Sequence, residues 1–496
     1  MPAITVPGVP SNTRVPFTYF GLDNSQAGFF QSDTRILVFG QKLPAGSATD
    51  GQIVQVFGNQ AGLFGQGSML SSMIDTITLN AANAEVWAIP LADVGVAGEW
   101  TVTVTSTITT AQVVNLLING QVFQVTAFTT DTDDDIATNL AAAINADVSV
   151  PVTAVAAANV ITLTAKSLGE IAGDVDIRNE YRRLRVSNSE VLLTVAQTVA
   201  PAGAPDVTAA VNGLADEAFD WIANPYTDTV SINALSSELS DLSGRWGALQ
   251  ALYGHAGAAI KDTPANLSAF GNTLNDQHLS LLGFAGSPTP AYNITAALVA
   301  KFWLHLSTAP ELSRPMQTIE LSGVLAPEAE EVFNKQVRQT LYFDGIGSVT
   351  VDRDGTVRID RVLTTYKTND AGAPDSSYLD VQTLAQLQYL IRYFDARIKQ
   401  LYPRHALRGD LEISPPGSFT VTPRDVRNTL IAAAQELSNQ NVIEDVQGFV
   451  ERVIVQRASD NGGDPNCLEM IIQPDLVNQF RIAKILVQFF NQYPQN

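Results

Sequence analysis

The stretch Ser348-Val349-Thr350-Val351-Asp352-Arg353-Asp354-Gly355-Thr356-Val357-Arg358-Ile359-Asp360-Arg361 decides how the chain is read. Val349/Val351 and Val357/Ile359 alternate on either side of Asp354-Gly355, a pair that tolerates positive φ at both central turn positions, so the stretch predicts a tight β-hairpin. A Thr/Tyr-rich strand is expected next, over 362–366. Leu384, Leu387, Ile391, Phe394, Ile398 and Leu401 then recur at spacings of three and four, which predicts a long helix with these six residues on one face. The helix runs into Tyr402-Pro403 and a basic tail. Within 392–408, Arg392, Arg397, Lys399, Arg404 and Arg408 stand against one acid, Asp395.

That basic segment sits in a chain of 496 residues with a formal net charge of −21. So acidic a chain repels nucleic acid, and none is expected as a partner. The apolar content is that of a globular protein, and the length calls for two to four domains. No apolar run is long enough for a transmembrane helix, and Met1-Pro2-Ala3-Ile4 lacks the charged start and apolar stretch of a signal peptide, so direct membrane insertion is not expected. The lone Cys467 leaves no internal disulfide framework, which fits a reducing compartment.

Upstream of the hairpin, Ile36-Leu37-Val38-Phe39, a helical run over 68–79 and Glu85-Val86-Trp87-Ala88-Ile89-Pro90 form a strand–helix–strand unit. Gly62 and Gly67 have the spacing of a phosphate loop, but Ser68 stands where its lysine is required, and Ser68 reads as a helix cap. Threonine and valine alternate through 100–108, 113–128 and 152–164, marking a β-rich insertion over 95–200. Its cluster Asp131-Thr132-Asp133-Asp134-Asp135 lacks the loop glycine and distal glutamate of a calcium site and reads as the acidic start of a helix. The α/β pattern resumes at 201, with helices expected over 207–218, 229–242, 263–274 and 295–306. Strands are expected over 219–223, 248–253 and 278–284. The fold class is α/β and α+β, multidomain: a central, mainly parallel sheet of about five strands with helices on both faces (35–94 and 201–320), the β-rich insertion, and a C-terminal α+β domain (321–479). Thr422 caps a helix from Pro423 to about 440, and strands are expected over 442–455, 468–472 and 480–490.

Both terminal segments carry apolar residues and are expected to be extended. Residues 1–34 hold Pro2, Pro7, Pro10 and Pro16 and, within the arm, Val15, Phe17 and Tyr19. The last run holds Ile482, Ile485, Val487 and Phe489. The first suits either a loose terminus or strand addition to another sheet, and the last either an internal edge strand or one donated to a neighbour.

No catalytic, cofactor or metal site is legible. The four histidines are His255, His278, His305 and His405. No Gly-x-Ser-x-Gly elbow is present, and the residues expected at strand carboxyl ends (Asn224, Pro225, Gly254, His255, Gly286) form no nucleophile, base and orienter set.

Gly345, Asp352-Arg353-Asp354-Gly355, Ile359-Asp360-Arg361-Val362-Leu363-Thr364-Thr365-Tyr366, Ser377-Tyr378-Leu379-Asp380-Val381 and Tyr402-Pro403-Arg404 together resemble the C-terminal core of contractile tail sheath proteins, above all those of Mu-like bacteriophages. Asn12-Thr13-Arg14-Val15-Pro16, Phe64-Gly65-Gln66-Gly67-Ser68-Met69-Leu70 and Glu85-Val86-Trp87-Ala88-Ile89-Pro90-Leu91 extend the resemblance to nearly the whole chain. The resemblance implies a structural subunit of the virion, assembled in the host cytoplasm without a cofactor. Such a subunit polymerises around a tail tube in an extended metastable state and contracts to drive the tube through the cell envelope. Its implied partners are further copies of itself, the tube protein, and baseplate and tail terminator proteins. The resemblance further implies that both terminal arms add strands to neighbours, with the 349–359 hairpin (Val349, Val351, Asp354, Gly355, Val357, Ile359) as receiving site. It turns Arg392, Arg397, Lys399, Arg404 and Arg408 toward the tube. The alternatives are the sheath of a related contractile injection machine, a non-contractile shell, and a hydrolase on the α/β domain.

Overall fold

The computed structural model describes residues 34–410 and 419–491. The chain begins with β1 (Arg35–Gln41), β2 (Val54–Gln55), α1 (Gln60–Phe64), α2 (Met69–Asn80) and β3 (Glu85–Leu91). Ser68 caps α2, its Oγ accepting from Ser71 N at 3.1 Å, so the glycines before it form a helix-leading turn.

The insertion contributes β4 (Ala97–Ser106), β5 (Gln112–Ile118), β6 (Gln121–Ala127), α3 (Asp133–Ala146), β7 (Val152–Ala157), β8 (Val160–Leu168), β9 (Ile177–Arg178) and β10 (Val191–Val199). Its Thr/Val alternation puts Val102, Val104, Ile161 and Leu163 into a core of their own, with the threonines on the other face. The aspartate cluster is consumed structurally. Thr132 and Asp135 form a capping box, and Asp133 accepts from Ser106 N at 3.0 Å.

Then follow α4 (Thr208–Asn212), β11 (Trp221–Ala223), α5 (Thr229–Glu238), β12 (His255–Lys261), α6 (Pro264–Gly271), β13 (Leu279–Phe284), α7 (Ala291–Leu306), α8 (Lys335–Phe343), β14 (Ile346–Val351) and β15 (Val357–Arg361). The main sheet has the order β15-β14-β13-β12-β11-β1-β3-β2, parallel from β14 to β3 and antiparallel at both ends. It has eight strands where five were expected. Two glycines identify the faces. A Cβ on Gly257 of β12 would lie 2.7 Å from Val299 of α7, and one on Gly283 of β13 would lie 3.0 Å from Leu267 of α6. Gly257 pairs with Ser280, three residues before Gly283, so the two glycines point to opposite sides and helices cover both faces.

The hairpin forms but differs from expectation in two respects. Val351 pairs with Val357, and Asp352 N donates to Thr356 O at 2.9 Å, leaving a three-residue loop in which Gly355 alone takes positive φ (90°). It also belongs to the central sheet: Leu281 of β13 pairs with Ile346 of β14, and Val349, Val357 and Ile359 lie in the central core. A boundary at 321 therefore cuts through one hydrophobic body. The sequence pattern shows that a hairpin forms, and only tertiary packing decides which sheet receives it.

The remaining elements are α9 (Val381–Leu401), β16 (Ala406–Leu407), β17 (Thr420–Val421), α10 (Pro423–Asn439), β18 (Ile443–Glu444), α11 (Val446–Arg452), β19 (Ile454–Arg457), β20 (Leu468–Ile471) and β21 (Asp475–Leu476). The strand expected over 442–455 is broken into β18 and the start of β19 by α11, which is started by Asp445, whose side chain accepts from Gly448 N. The strand expected over 248–253 is instead a folded loop, turned by positive φ at Ala251 and Tyr253. Residues 480–491 have no strand partner among the described residues.

Helix α9 lies between two cores. Val381 and Ala385 pack into the central one, and Leu390, Tyr393 and Phe394 into a C-terminal one with Leu430, Ala434 and Phe449. Burial therefore wraps around the helix, and Ile391 and Leu401, expected inside, stay about 40% exposed. Gly257→Ala should lower stability by about 1–3 kcal/mol, because β12 and α7 must separate to admit a methyl group. Chemical denaturation reads this as a lower midpoint at unchanged slope.

Candidate functional site

In an open parallel sheet the crevice for a ligand opens at the carboxyl ends of the strands where strand order reverses, here between β1 and β11. A cavity of about 190 Å³ lies at that place, lined by Gln41, Tyr226, Asp228 and Lys261 from the central domain and by Glu170 and Asp174 from the insertion. Asp174 is half-buried, desolvation raises its pKa, and it accepts from Ala291 N at 3.1 Å at the start of α7. A carboxylate of the insertion thus occupies the position an anionic ligand would take at that helix end.

The histidines give no catalytic constellation. His255 Nε2 lies 2.8 Å from Ser280 Oγ, a serine–histidine pair, but both side chains are sealed in the core at the amino ends of β12 and β13. Burial, reinforced by nearby His278, pulls the His255 pKa down to about 3, so the ring is neutral. His278 Nε2 meets Asp241 at 2.7 Å and its ring stacks on Trp246. Gly254 and His255 sit at the amino end of β12, with Lys261 at its carboxyl end. Among the described residues no group of three or more His, Cys, Asp or Glu side chains converges as metal ligands, and no helix is long and apolar enough to cross a membrane.

The basic segment is mostly used inside the subunit. Arg392 pairs with Asp220, donates to Leu252 O at 3.3 Å and lies over the Tyr253 ring at 5.4 Å. Arg397, 9% exposed, pairs with Glu436 of α10. Lys399 meets Asp395 at 2.8 Å, one helical turn back. Arg408 is half-buried and partnered, which leaves Arg404 and Lys399 the exposed members of the five. The charge excess along 392–408 is real in sequence and largely cancelled in space, because Asp220 and Glu436 arrive from distant segments. Arg392 and Arg397 therefore cannot face a tube unless those internal pairs break.

Asp220 is the densest of these junctions and had no sequence signal. Its buried carboxylate accepts from Arg35 N at 2.8 Å, from Gln388 Nε2 at 2.6 Å and from Arg392, joining β1, the start of β11 and α9.

The receiving role drawn for the hairpin meets an obstacle of the same kind. Thr318 N donates to Ile359 O at 2.7 Å, Ile359 N to Ile319 O at 2.9 Å and Leu321 N to Val357 O at 3.0 Å. The outer edge of β15 is thus already paired within the chain, and a donated strand would have to displace 318–321. The two-stranded sheet β19–β20 has no third strand among the described residues, and it exposes Ile454, Met470 and Ile471.

The C-terminal segment divides at Arg481. Before it, Val477 O accepts from Gln386 Nε2 at 3.0 Å. Arg481 then meets Asp380 at 3.2 Å and donates to Gln382 Oε1 at 2.9 Å, beside Arg361, which shares Asp380. Beyond it Ile482, Ile485, Val487 and Phe489 are 68%, 81%, 77% and 78% exposed. Val15, Phe17 and Tyr19 lie outside the described residues.

Residues 200–365 match the phage tail sheath protein central domain, and 373–490 match the phage tail sheath C-terminal domain. A Mu-like prophage tail sheath protein of Haemophilus influenzae is 34% identical over 493 residues, covering 98% of this chain and 99% of that one. Among solved structures, a sheath tail protein of Desulfitobacterium hafniense aligns at 11% identity over 94% of this chain and 97% of its own, with a TM-score of 0.48. The helical sheath of the anti-feeding prophage in its contracted state aligns at 13% identity over 97% of this chain and 99% of its own, with a TM-score of 0.46.

Asp220→Ala should cost about 3–5 kcal/mol, because Arg392 and Gln388 lose their buried acceptor. Hydrogen exchange should rise at the amino end of β11 and in the middle of α9 together. His255 adds a pH dependence. Its folded pKa lies below the unfolded value of about 6.5, so acid favours the unfolded chain, which takes up the proton first. Its contribution is complete above pH 6.5 and is lost as pH falls toward 3. Between pH 7 and 4.5 the parent should lose about 2–3 kcal/mol more than His255→Gln, measured by denaturation at both pH values.

Proposed function

The chain belongs to the phage tail sheath family, and we propose that it joins its neighbours through the segment after Arg481, donated as a β-strand to the next copy. As a member of that family it is a structural subunit of a contractile tail sheath, a virion component that self-assembles into a helical array, and not an enzyme.

The observation that carries the proposal is the abrupt change at Arg481, from a root anchored on α9 to an exposed apolar run with no strand partner among the described residues. An extended segment with unpaired backbone groups and alternating apolar side chains is costly in water and suited to strand addition. In a strand Ile485, Val487 and Phe489 share one face, with Lys484 and Leu486 on the other. The β19–β20 sheet is the receiving edge this reading favours. Its strands are short, its exposed side chains include the apolar Ile454, Met470 and Ile471, and Glu469 offers a charge opposite to Lys484. Val15, Phe17 and Tyr19 are proposed as a second donated segment.

The remaining partners follow from the same reading: the tail tube on the inside, baseplate and terminator proteins at the ends, with assembly in the host cytoplasm. Tube contact falls to exposed Arg404 and to Lys399, whose exposed pair with Asp395 is weak enough to exchange partners. Contraction then needs no nucleotide, because assembly stores the less stable packing and many subunits switch together.

A chain ended at Arg481 should fold, melt within a few degrees of the parent and remain unable to form tubes by negative-stain microscopy. Tubes of normal appearance from this truncation would refute strand donation.

A further inference from the structure

Between α5 and β12 the chain makes a compact loop, 239–254, at the amino edge of the central sheet. At its centre lies Arg245, fully buried although it carries a charge. Its guanidinium pairs with Glu238 at 3.3 Å and donates to the carbonyls of Tyr253 and Ala215, each at 3.4 Å, and of Glu217. Its own carbonyl accepts from Leu252 N at 2.9 Å and Tyr253 N at 3.0 Å. Trp246 braces the other side, donating to Gly254 O at 2.8 Å and stacking on His278. Asp241 is held by His278 and by Gln277, and Arg392 of α9 lies over Tyr253.

From this fixed base two leucines stand in solvent, Leu242 at 93% and Leu249 at 103% relative exposure. The segment from Leu242 to Gln250 contains no acid, and its one cation is the internal Arg245. On a subunit of net charge −21, an uncharged apolar projection is where a second, equally acidic copy approaches against least repulsion. A loop held by buried hydrogen bonds loses little conformational entropy on docking, the usual condition for an anchor residue.

We propose that Leu242 and Leu249 form a preorganised knob that docks into a second copy of this chain, a contact separate from the donated strand. The loop adjoins α9, whose first turn anchors the root of the C-terminal segment through Asp380 and Gln382. The knob and the strand are therefore tied to one helix, the loop against Arg392 in its middle and the strand's root at its start, and a neighbour held by the strand is fixed in orientation by the knob. The inference rests on the strand-donation reading for its geometry, and it predicts a head-to-tail contact of the kind that builds open arrays.

The test uses the full chain and reads the concentration at which sedimentable tubes appear. Leu242→Ser/Leu249→Ser should raise that threshold at least about tenfold, given the apolar area lost from two anchors. Its monomer should melt with the parent, since both side chains are solvent-exposed in the isolated subunit. Leu242→Met/Leu249→Met keeps the apolar area and should assemble at the parent threshold. Assembly of the serine variant at the parent threshold, or a lower melting temperature of its monomer, would overturn the knob. The chain ended at Arg481 separates the two readings. If it forms tubes while the serine variant does not, strand donation fails and the knob stands; the opposite pair of results removes the knob alone.

Discussion

The buried carboxylate of Asp220 is the constraint on which the rest of the subunit depends. It is taken from water at the point where β1 and β11 begin, and it is satisfied by a backbone amide, a glutamine and Arg392. A buried ion with this many donors is worth little against a well-packed apolar replacement, but losing one partner strands the other. That asymmetry gives the junction specificity. Helix α9 has one seat on the sheet, and through α9 so do the C-terminal core, the root at Arg481 and the braced loop carrying Leu242 and Leu249.

A subunit built this way suits a sheath. Rearrangement of an array needs some contacts that persist and others that exchange. The central sheet, α9 and α10 share partly buried polar clamps (Asp220–Arg392, Glu436–Arg397, Asp380 with Arg361 and Arg481), so they behave as one body. Exchangeable elements are those outside the clamps: the chain beyond Arg481, the surface pair Lys399–Asp395, and the apolar loop tip. Main-chain pairing through a donated strand can survive rotation of the bodies it joins, whereas a two-leucine contact can release and re-form.

Local physics was legible in the sequence, and long-range partnership was not. The threonine–valine alternation in the insertion, the Thr132 and Thr422 caps and the turn at Gly355 all follow from rules acting within a few residues. The place of the 349–359 hairpin in the central sheet depends on Leu281, some 65 residues upstream, and no local pattern encodes that pairing. The internal pairing of the basic stripe was hidden for the same reason. Its acids, Asp220 and Glu436, lie 172 and 39 residues from their arginines. Ala248 to Tyr253 has the composition of a strand, yet the buried Arg245 draws that backbone into a loop. The apolar run after Arg481 has a strand's composition and pairs with no strand among the described residues.

The most direct measurement is a cryo-electron microscopy map of tubes formed by the full chain, sharp enough to trace the main chain of each copy. Residues 482–491 should run from one subunit onto the β19–β20 sheet of the next, in strand register, with Arg481 still seated on Asp380. A map in which those residues fold back onto their own subunit, with adjacent copies joined only by side-chain contacts, would contradict the account.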